Sequence, residues 1–301
     1  MTVSAVAARD NVPLGILYMV LSTVLFGGVN ALVKWEVALY PVGEVAFFRT
    51  LFALIPIFIL VLPRQGLSVF VTDRFRDHFR RAVSQLGSMT CIFFAFKLMP
   101  LAGATAISFS APLITTLLSI LLLKEMVGIH RWSALIVGFL GVLLVTHPGA
   151  GPFQWGAAFA LANAILISTV AIAIRHMSAT ESSDTLIVYQ IVLLVPLTAL
   201  LLPFGFAAPA PADFALLVIA GICNGVAQFW WTKSLHLAPA SAVTPFNYLS
   251  LIWAMIAGYL VWGELPTSDL VGGSIIVVGS GLYLLWRETV RRALRRPQPV
   301  P

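Results

Sequence analysis

Long apolar runs separated by short polar connections dominate the chain. A bilayer core about 30 Å thick needs roughly 20 apolar residues to be crossed by a helix, and ten runs reach or approach that length. The predicted helices are Leu14–Lys34, Val42–Leu62, Ala82–Leu98, Ala102–Leu123, Trp132–Thr146, Phe153–Ile174, Thr185–Leu202, Phe214–Thr232, Ser241–Trp262 and Leu270–Trp286. The pattern therefore predicts an all-α integral membrane protein with ten transmembrane helices.

Positively charged residues lie mostly on one of the two sides that ten crossings define. That side holds both chain termini and the even-numbered connections, and it carries 15 of the 18 Lys and Arg residues. The other side carries Lys34 and Lys97, and Arg49 lies within a predicted helix. Because Lys and Arg are enriched in cytoplasmic loops, we predict a multi-pass protein of the bacterial inner membrane with cytoplasmic N and C termini.

Composition agrees with lipid as the main solvent. Apolar types make up 59% of the chain and charged types 10%, against about 25% charged in an ordinary soluble domain. The mean hydropathy is +0.96. These values exclude a nucleic-acid binder, a disordered chain and a disulfide-rich secreted domain. The net charge of +6 reflects the basic loops, and Cys91 and Cys223 both fall within apolar runs.

Matched residues recur along the chain at a nearly constant offset. Gly15 and Gly156 differ by 141 positions, as do Lys34 and Arg175. Further pairs, 139 or 140 positions apart, are Glu44 with Asp184, Pro56 with Pro196, Pro63 with Pro203, Pro100 with Pro239, and Glu125 with Glu264. The offset predicts one five-helix repeat over residues 1–148, a second over residues 149–288, and a basic cytoplasmic tail over residues 289–301.

The number of helices in each repeat sets the relative orientation of the two copies. Five is odd, so the second copy must enter the membrane from the opposite face. Inverted repeats are typical of secondary transporters, in which related halves open a shared site to alternate sides. The duplication therefore predicts a carrier.

The fourth and ninth predicted helices, with the segments that follow them, contain the most specific motifs. The first copy has Pro100–Ala106, Pro112, Lys124 with Glu125, and Gly138–Gly141. The second copy has Ala238–Ala242, Tyr248–Trp253, Gly263 with Glu264, and Gly279–Gly281. This doubled pattern resembles the EamA branch of the drug/metabolite transporter superfamily. Within that branch, the chain length, the basic second loop and the aromatic-rich helices look most like the bacterial amino-acid exporters of the aromatic-amino-acid type. The resemblance implies two inverted five-helix halves and the export of amino acids or related small metabolites.

Polar side chains inside predicted helices are costly in lipid and are therefore candidates for a substrate cavity. In the first helix Ser22, Phe26 and Asn30 recur every four residues and share a face. The remaining candidates are Gln85, Ser88, Met89, Asn163, Ser168, Asn224, Gln228, Trp231, Asn247, Tyr248 and Trp253. Amides, hydroxyls and aromatic faces suit a small zwitterion with an apolar side chain. The alternative is that these side chains bond packed helices to each other.

Arg49 is a permanently charged group within the second predicted helix. One interpretation is that it binds a substrate carboxylate. The interpretation that we favour is an ion pair between Arg49 and Glu44 that stabilises or gates the protein. The other alternative is that the Arg49 side chain extends to the lipid head groups.

Several kinds of chemistry have no support in the sequence. All five histidines fall in loops or at helix ends, and no catalytic or metal-ligand motif is present, so we expect no enzyme activity, metal or cofactor. An intramembrane enzyme and a carrier of drug-like cations, nucleotide sugars or sugar phosphates remain the alternatives.

Because no acidic residue lies deep within a predicted helix, we expect facilitated or exchange transport. The expected partners of a monomeric chain are a small-molecule substrate, such as an amino acid, and membrane lipid, without nucleic acid.

Overall fold

A computed structural model describes residues 11–123, 129–146, 154–177, 180–238 and 240–295, and within these ranges all regular structure is helical. The α-helices are α1 Val12–Leu39, α2 Val42–Gln65, α3 Phe75–Leu98, α4 Leu101–Ser108, α5 Ala111–Leu123, α6 Ile129–Thr146, α7 Gln154–Met177, α8 Ser183–Ala199, α9 Pro211–Leu237, α10 Ala240–Val243, α11 Leu249–Trp262 and α12 Ser268–Arg295. Short 3-10 helices cover Gly66–Phe70, Leu202–Phe204 and Thr244–Tyr248.

Each predicted segment is mostly helical over its described residues, apart from turns at residues 109–110 and 200–201. Not every helix meets the requirements for a membrane crossing. Among the described residues, seven helical stretches are long and apolar enough to span a bilayer. The apolar stretches of α6 and α12 are shorter, and α3 begins with charged turns that include Arg80 and Arg81. Ten crossings therefore remain a prediction.

Two predicted features, the basic tail and the first Lys-Glu motif, lie partly or wholly outside the described residues. Helix α12 continues beyond Trp286 to Arg295, so the first residues of the predicted basic tail are helical. Lys124 and Glu125 of the first motif, and residues 296–301 of the tail, lie outside the described residues.

The fourth and ninth predicted helices are both broken, at equivalent positions. The fourth divides into α4 and α5 around Phe109, just before Pro112, and the ninth divides at the 3-10 helix that contains Pro245. Proline lacks an N–H and clashes with the carbonyl four residues earlier, which disfavours a continuous helix. Pro56 and Pro196, by contrast, lie inside the continuous helices α2 and α8.

Helices of one half pack against helices of the other half in pairs that the repeat relates to each other. Helix α1 packs along α9 and its repeat equivalent α7 packs along α3, while α6 packs on α12 and α2 on α8. Two equivalent glycines permit close approaches: a Cβ on Gly15 would lie 2.7 Å from Cβ of Ala238, and a Cβ on Gly156 would lie 2.9 Å from Cβ of Met99. Most of the buried apolar residues of α1, α2, α3 and α4 form one continuous core with residues of α7 and α9.

Hydrogen bonds at the two ends of the bundle occur in equivalent pairs. The hydroxyl of Tyr40 donates to Asp213 at 2.7 Å, and the hydroxyl of Thr72 donates to Glu181 at 2.7 Å. Positions 40 and 181 differ by 141, as do positions 72 and 213. Tyr40 follows α1 and Thr72 follows α2, so the two contacts lie at opposite ends of the bundle. This is the arrangement that two inverted halves predict.

Candidate functional site

Arg49 lies at the interface between the halves rather than against lipid. Its Nη2 donates to Oδ1 of Asn224 on α9 at 2.6 Å, and its guanidinium carbon lies 5.2 Å from the centre of the buried Phe93 ring on α3. The residue as a whole is partly exposed, whereas its Nε is buried and has no hydrogen-bond partner in the described part of the chain. Helices α2, α3 and α9 therefore position this guanidinium, and its Nε–H donor has no acceptor among the described residues.

The predicted ion pair between Arg49 and Glu44 is not present. Neither residue takes part in an ion pair within the described ranges. The reason is helix geometry: at 3.6 residues per turn, side chains five positions apart point about 140° away from each other. Glu44 is fully buried at the start of α2 and its Oε2 accepts a hydrogen bond from the backbone N–H of Ala207 at 2.9 Å.

Nine of the predicted cavity residues keep part of their surface accessible. They are Phe26, Asn30, Gln85, Asn224, Gln228, Trp231, Asn247, Tyr248 and Trp253. The side-chain amides of Asn30, Gln85 and Gln228 have no hydrogen-bond partner among the described residues. Free amides on α1, α3 and α9 are groups that a polar solute can use.

The other five predicted cavity residues are buried in helix packing. Ser22 donates to the carbonyl of Met19 at 2.7 Å, Met89 packs in the core, and Ser168 donates to the carbonyls of Ala111 and Ala164 at 2.9 and 2.6 Å. These contacts agree with the alternative that polar side chains bond packed helices to each other.

Ser88 and Asn163 form a polar link between three helices. Ser88 donates to Oδ1 of Asn163 at 2.7 Å, and Nδ2 of Asn163 donates to the hydroxyl of Ser108 at 3.0 Å. The link joins α3 and α7 to the end of α4, next to the break in the fourth predicted helix. Both distances are within the normal range for hydrogen bonds, so the end of α4 is tied to α3 and α7.

Aromatic residues connect the second broken helix to the interface. Nε1 of Trp231 donates to Asn247 at 3.3 Å, and Nε1 of Trp253 donates to the hydroxyl of Thr23 at 3.3 Å. The rings of Phe109 and Tyr248 lie 4.9 Å apart. Positions 109 and 248 differ by 139, the repeat offset, so equivalent residues at the two breaks are in contact.

An ion pair closes the end of the bundle that the sequence places outside the cell. Lys34, at the end of the first predicted helix, binds Oε1 of Glu264 and donates to the carbonyl of Met99 at 3.3 Å. Oε2 of Glu264 accepts from the backbone N–H of Leu101 at 3.0 Å, and the Lys34 ammonium lies 4.8 Å from the centre of the Trp262 ring. We call these contacts the Lys34–Glu264 latch. Sequence reasoning used both residues only as markers of the repeat.

A cavity of about 330 Å³ lies beside the latch, and its lining comes from both halves. Met99, Gly103 and Val145 of the first half face Met255, Gly258 and Leu270 of the second across it. The lining is mostly apolar. Glu264 belongs both to this lining and to the latch. None of the predicted cavity residues lines it, so this space is separate from the interface around Arg49.

Two repeat-related helical halves with accessible polar groups at their interface are typical of a transporter of the secondary type. A family model matches residues 13–147 and, a second time, residues 154–286. The chain belongs to the EamA-like transporter family.

Curated relatives are transporters of several different solutes. The chain is 30% identical to the riboflavin transporter of Rhizobium johnstonii, with 94% of each chain covered. It is 26% identical to the S-adenosylmethionine uptake transporter of Rickettsia conorii over 84% of this chain and 85% of the relative. It is also 26% identical to the pseudopaline exporter of Pseudomonas aeruginosa, with 89% and 95% covered.

A solved crystal structure shares the fold. It covers 97% of this chain and 100% of its own length with a TM-score of 0.61 at 20% sequence identity. Family and relatives agree with the expectation of a multi-pass transporter of small metabolites rather than an enzyme. The family and the relatives do not single out amino acids as substrates or export as the direction. The predicted similarity to amino-acid exporters is therefore not confirmed.

Proposed function

We propose that the chain transports a small anionic or zwitterionic metabolite, with an amino acid as the simplest case, through the interface of its two halves. The position of Arg49 carries this proposal. A buried charge is costly unless a partner compensates it, and the contacts of this guanidinium in the described structure are neutral. A substrate carboxylate would supply the missing negative charge and accept from the free guanidinium donors.

The other accessible predicted cavity residues favour a substrate with an apolar or aromatic part. Phe26, Trp231 and Trp253 offer aromatic surface, and the amides of Asn30 and Gln228 can bond either charged end of a zwitterion. S-adenosylmethionine, which a relative takes up, contains the amino-acid group of methionine. A cationic drug would be repelled by Arg49, and a sugar phosphate would need more cationic groups than this one guanidinium.

We further propose alternating access with export from the cytoplasm and both termini on the cytoplasmic side of the bacterial inner membrane. In this scheme the Lys34–Glu264 latch holds the external end closed and must separate when that end opens. The 15 to two distribution of Lys and Arg supports the orientation. The relatives include both an uptake transporter and an exporter, so the direction belongs to this proposal and not to the family.

Competition in proteoliposomes tests the substrate class. The panel contains amino acids, riboflavin, S-adenosylmethionine, nucleotides and a lipophilic cation, each competing with a labelled amino acid. We expect carboxylate-bearing amino acids to compete and the cation not to compete. Competition by the cation alone, or conversion of the labelled compound into a product, would contradict the proposal.

Substitution of Arg49 tests the role assigned to its guanidinium. Loss of a hydrogen bond to a charged group costs about 1.5–3 kcal/mol, so Arg49→Gln should weaken apparent substrate affinity about 10- to 100-fold, and Arg49→Lys should restore part of it. Arg64→Gln is the matched control, because Arg64 lies on the same helix but is exposed. Unchanged affinity in Arg49→Gln would overturn the assignment.

A further inference from the structure

A buried carboxylate that the sequence interpretation overlooked lies in the last turns of α1. Glu36 is completely buried, and neither of its carboxylate oxygens has a hydrogen-bond partner among the described residues. Helix α1 continues to Leu39, beyond the predicted end at Lys34, and it is one of the stretches that can span a bilayer. Glu36 is therefore a titratable group within a membrane-spanning helix.

The charged groups that face Glu36 are acidic. Glu44 on α2 and Asp213 on α9 both interact with it electrostatically. Asp213 accepts from the hydroxyl of Tyr40, and that hydroxyl also accepts from the backbone N–H of Ala210 at 3.1 Å. The two carboxylates that act on Glu36 thus belong to the helices α2 and α9, which both pack against α1. The described residues form no group suited to holding a metal ion.

The cations in this part of the bundle are engaged elsewhere. Lys34 precedes Glu36 by two residues on α1 but is bound to Glu264 and to the carbonyl of Met99. Arg49 on α2 is bound to Asn224, and Lys97 on α3 is exposed. An ionised Glu36 would therefore be buried beside like charges without a counter-ion, which costs several kcal/mol. A proton removes that charge.

We propose that Glu36 is a proton-binding site that is occupied when the external end is closed. When the latch opens and the end of α1 moves away from the residues that cover Glu36, water reaches Glu36 and its proton is released. External acid then favours the closed state and external alkali the open state, whereas cytoplasmic pH does not reach the group. The proposal rests on the alternating access and the orientation proposed above, and it adds a proton to the cycle that the sequence predicted to run without one.

Thiol labelling under controlled external pH tests the site. In a background with Cys91→Ala and Cys223→Ala, the substitution Met99→Cys places a thiol at a position that is 7% exposed beside the latch. A membrane-impermeant thiol reagent then reports opening of the external end. The thiolate is the reacting form of cysteine, so acid slows the reaction of any thiol. Each rate is therefore divided by that of Phe204→Cys at the same pH in the same background, because Phe204 is 89% exposed and stays accessible. With internal pH fixed, acidification from about pH 8 to about pH 5.5 should lower this normalised labelling rate, by at most about tenfold per pH unit for one proton.

Variants of Glu36 identify the responsible group. Glu36→Gln mimics the protonated acid and should label slowly at every external pH, whereas Glu36→Asp keeps a titratable group and should keep a pH response. Asp184→Asn is the matched control: it removes a carboxylate at the opposite end of the bundle, where Asp184 accepts from Gln65. It should retain the response of the parent.

The outcomes separate this site from the proposed function. Labelling that does not depend on external pH, or a pH response that persists in Glu36→Gln, overturns the proton site. Substrate is added in a parallel arm. If substrate changes the labelling rate and pH does not, transport by alternating access stands and the proton site is wrong. If pH acts through Glu36 and substrate has no effect, the proton site stands and the transport proposal is contradicted.

Discussion

At the scale of single residues, charged groups inside the bundle differ in what compensates them. Lys34 and Glu264 neutralise each other. Arg49 has neutral partners and an accessible surface, which suits a substrate anion, whereas Glu36 has neither a partner nor exposure, which suits a proton. The same residue type can thus be structural or functional, and the surroundings decide which.

His78 provides a prediction about stability and pH. It lies before the predicted membrane segment of α3, is completely buried, and stacks on Tyr189 at 4.4 Å. Burial, and next the Arg81 guanidinium, lower the pKa of His78 below its usual value, while Glu181 and Asp77 act in the opposite direction. The folded state therefore favours the neutral ring.

The sign of the effect follows from the lowered pKa. The stability associated with a neutral His78 is fully present above the unfolded-state value of about 6.5 and is lost as pH falls through the lower folded-state pKa. Thermal unfolding in detergent should show a midpoint that falls less steeply between about pH 7 and pH 5 in His78→Gln than in the parent. Equal slopes would contradict this account.

At the scale of elements, glycines determine how closely helices of the two halves approach. Gly221 and Gly225 lie one turn apart on α9 and face α2. A Cβ on Gly225 would lie 2.7 Å from the backbone oxygen of Ala53, and one on Gly221 would lie 2.9 Å from that of Arg49. The α9 backbone therefore lies directly on the helix that carries Arg49.

Gly225→Ala should separate α2 from α9. Overpacking of this kind costs about 1–3 kcal/mol, so we expect a lower unfolding midpoint together with weaker substrate binding. Gly28→Ala is the control, because a Cβ at Gly28 meets no atom within 4 Å. Alanine there should leave the midpoint unchanged or raise it, since glycine within a helix is unfavourable by about 0.5–1 kcal/mol. Equal midpoints for both variants would refute the close-packing role.

Most helices could be located from the sequence, but their ends and breaks could not. Apolar runs place the segments because burial and lipid exposure both select apolar residues. The first predicted helix ends at Lys34, so the prediction does not include the last turns of α1, which contain Glu36. The breaks near Phe109 and Tyr248 had a signal in Pro112 and Pro245, but α2 and α8 contain proline without breaking. Packing, rather than proline alone, decides the outcome.

The candidate site was predictable only in part, for a related reason. The accessible amides of Asn30 and Gln228 follow from helical periodicity, which identifies a shared face. The contact of Arg49 with Asn224 joins positions 175 residues apart, so local spacing gives no sign of it. Whether a polar residue bonds another helix, as Asn163 does, or faces a cavity depends on tertiary packing.

At the scale of the whole molecule, the duplication predicts that each closing contact has a counterpart at the opposite end. Lys34 is equivalent to Arg175 and Glu264 to Glu125. The side chain of Arg175 and the whole of Glu125 lie outside the described residues, so this second ion pair is a prediction from the repeat. In alternating access the two latches would close in turn.

Opposite effects of two substitutions test the paired latches. Lys34→Gln should favour the externally open state and Arg175→Gln the cytoplasmically open state, because each removes the cation from one closing contact. Labelling of single cysteines near each end, with impermeant reagents applied from either side, measures the shift. We expect the two variants to change external accessibility in opposite directions. A change in the same direction, or none, would refute the pairing.

Counterflow in proteoliposomes tests the central account most directly. Vesicles loaded with excess unlabelled amino acid are diluted into a trace of labelled amino acid without any imposed gradient. Alternating access through the Arg49 interface predicts transient accumulation of label, which Arg49→Gln reduces and Arg64→Gln does not. Accumulation no greater than in protein-free vesicles for every compound in the panel would contradict the account.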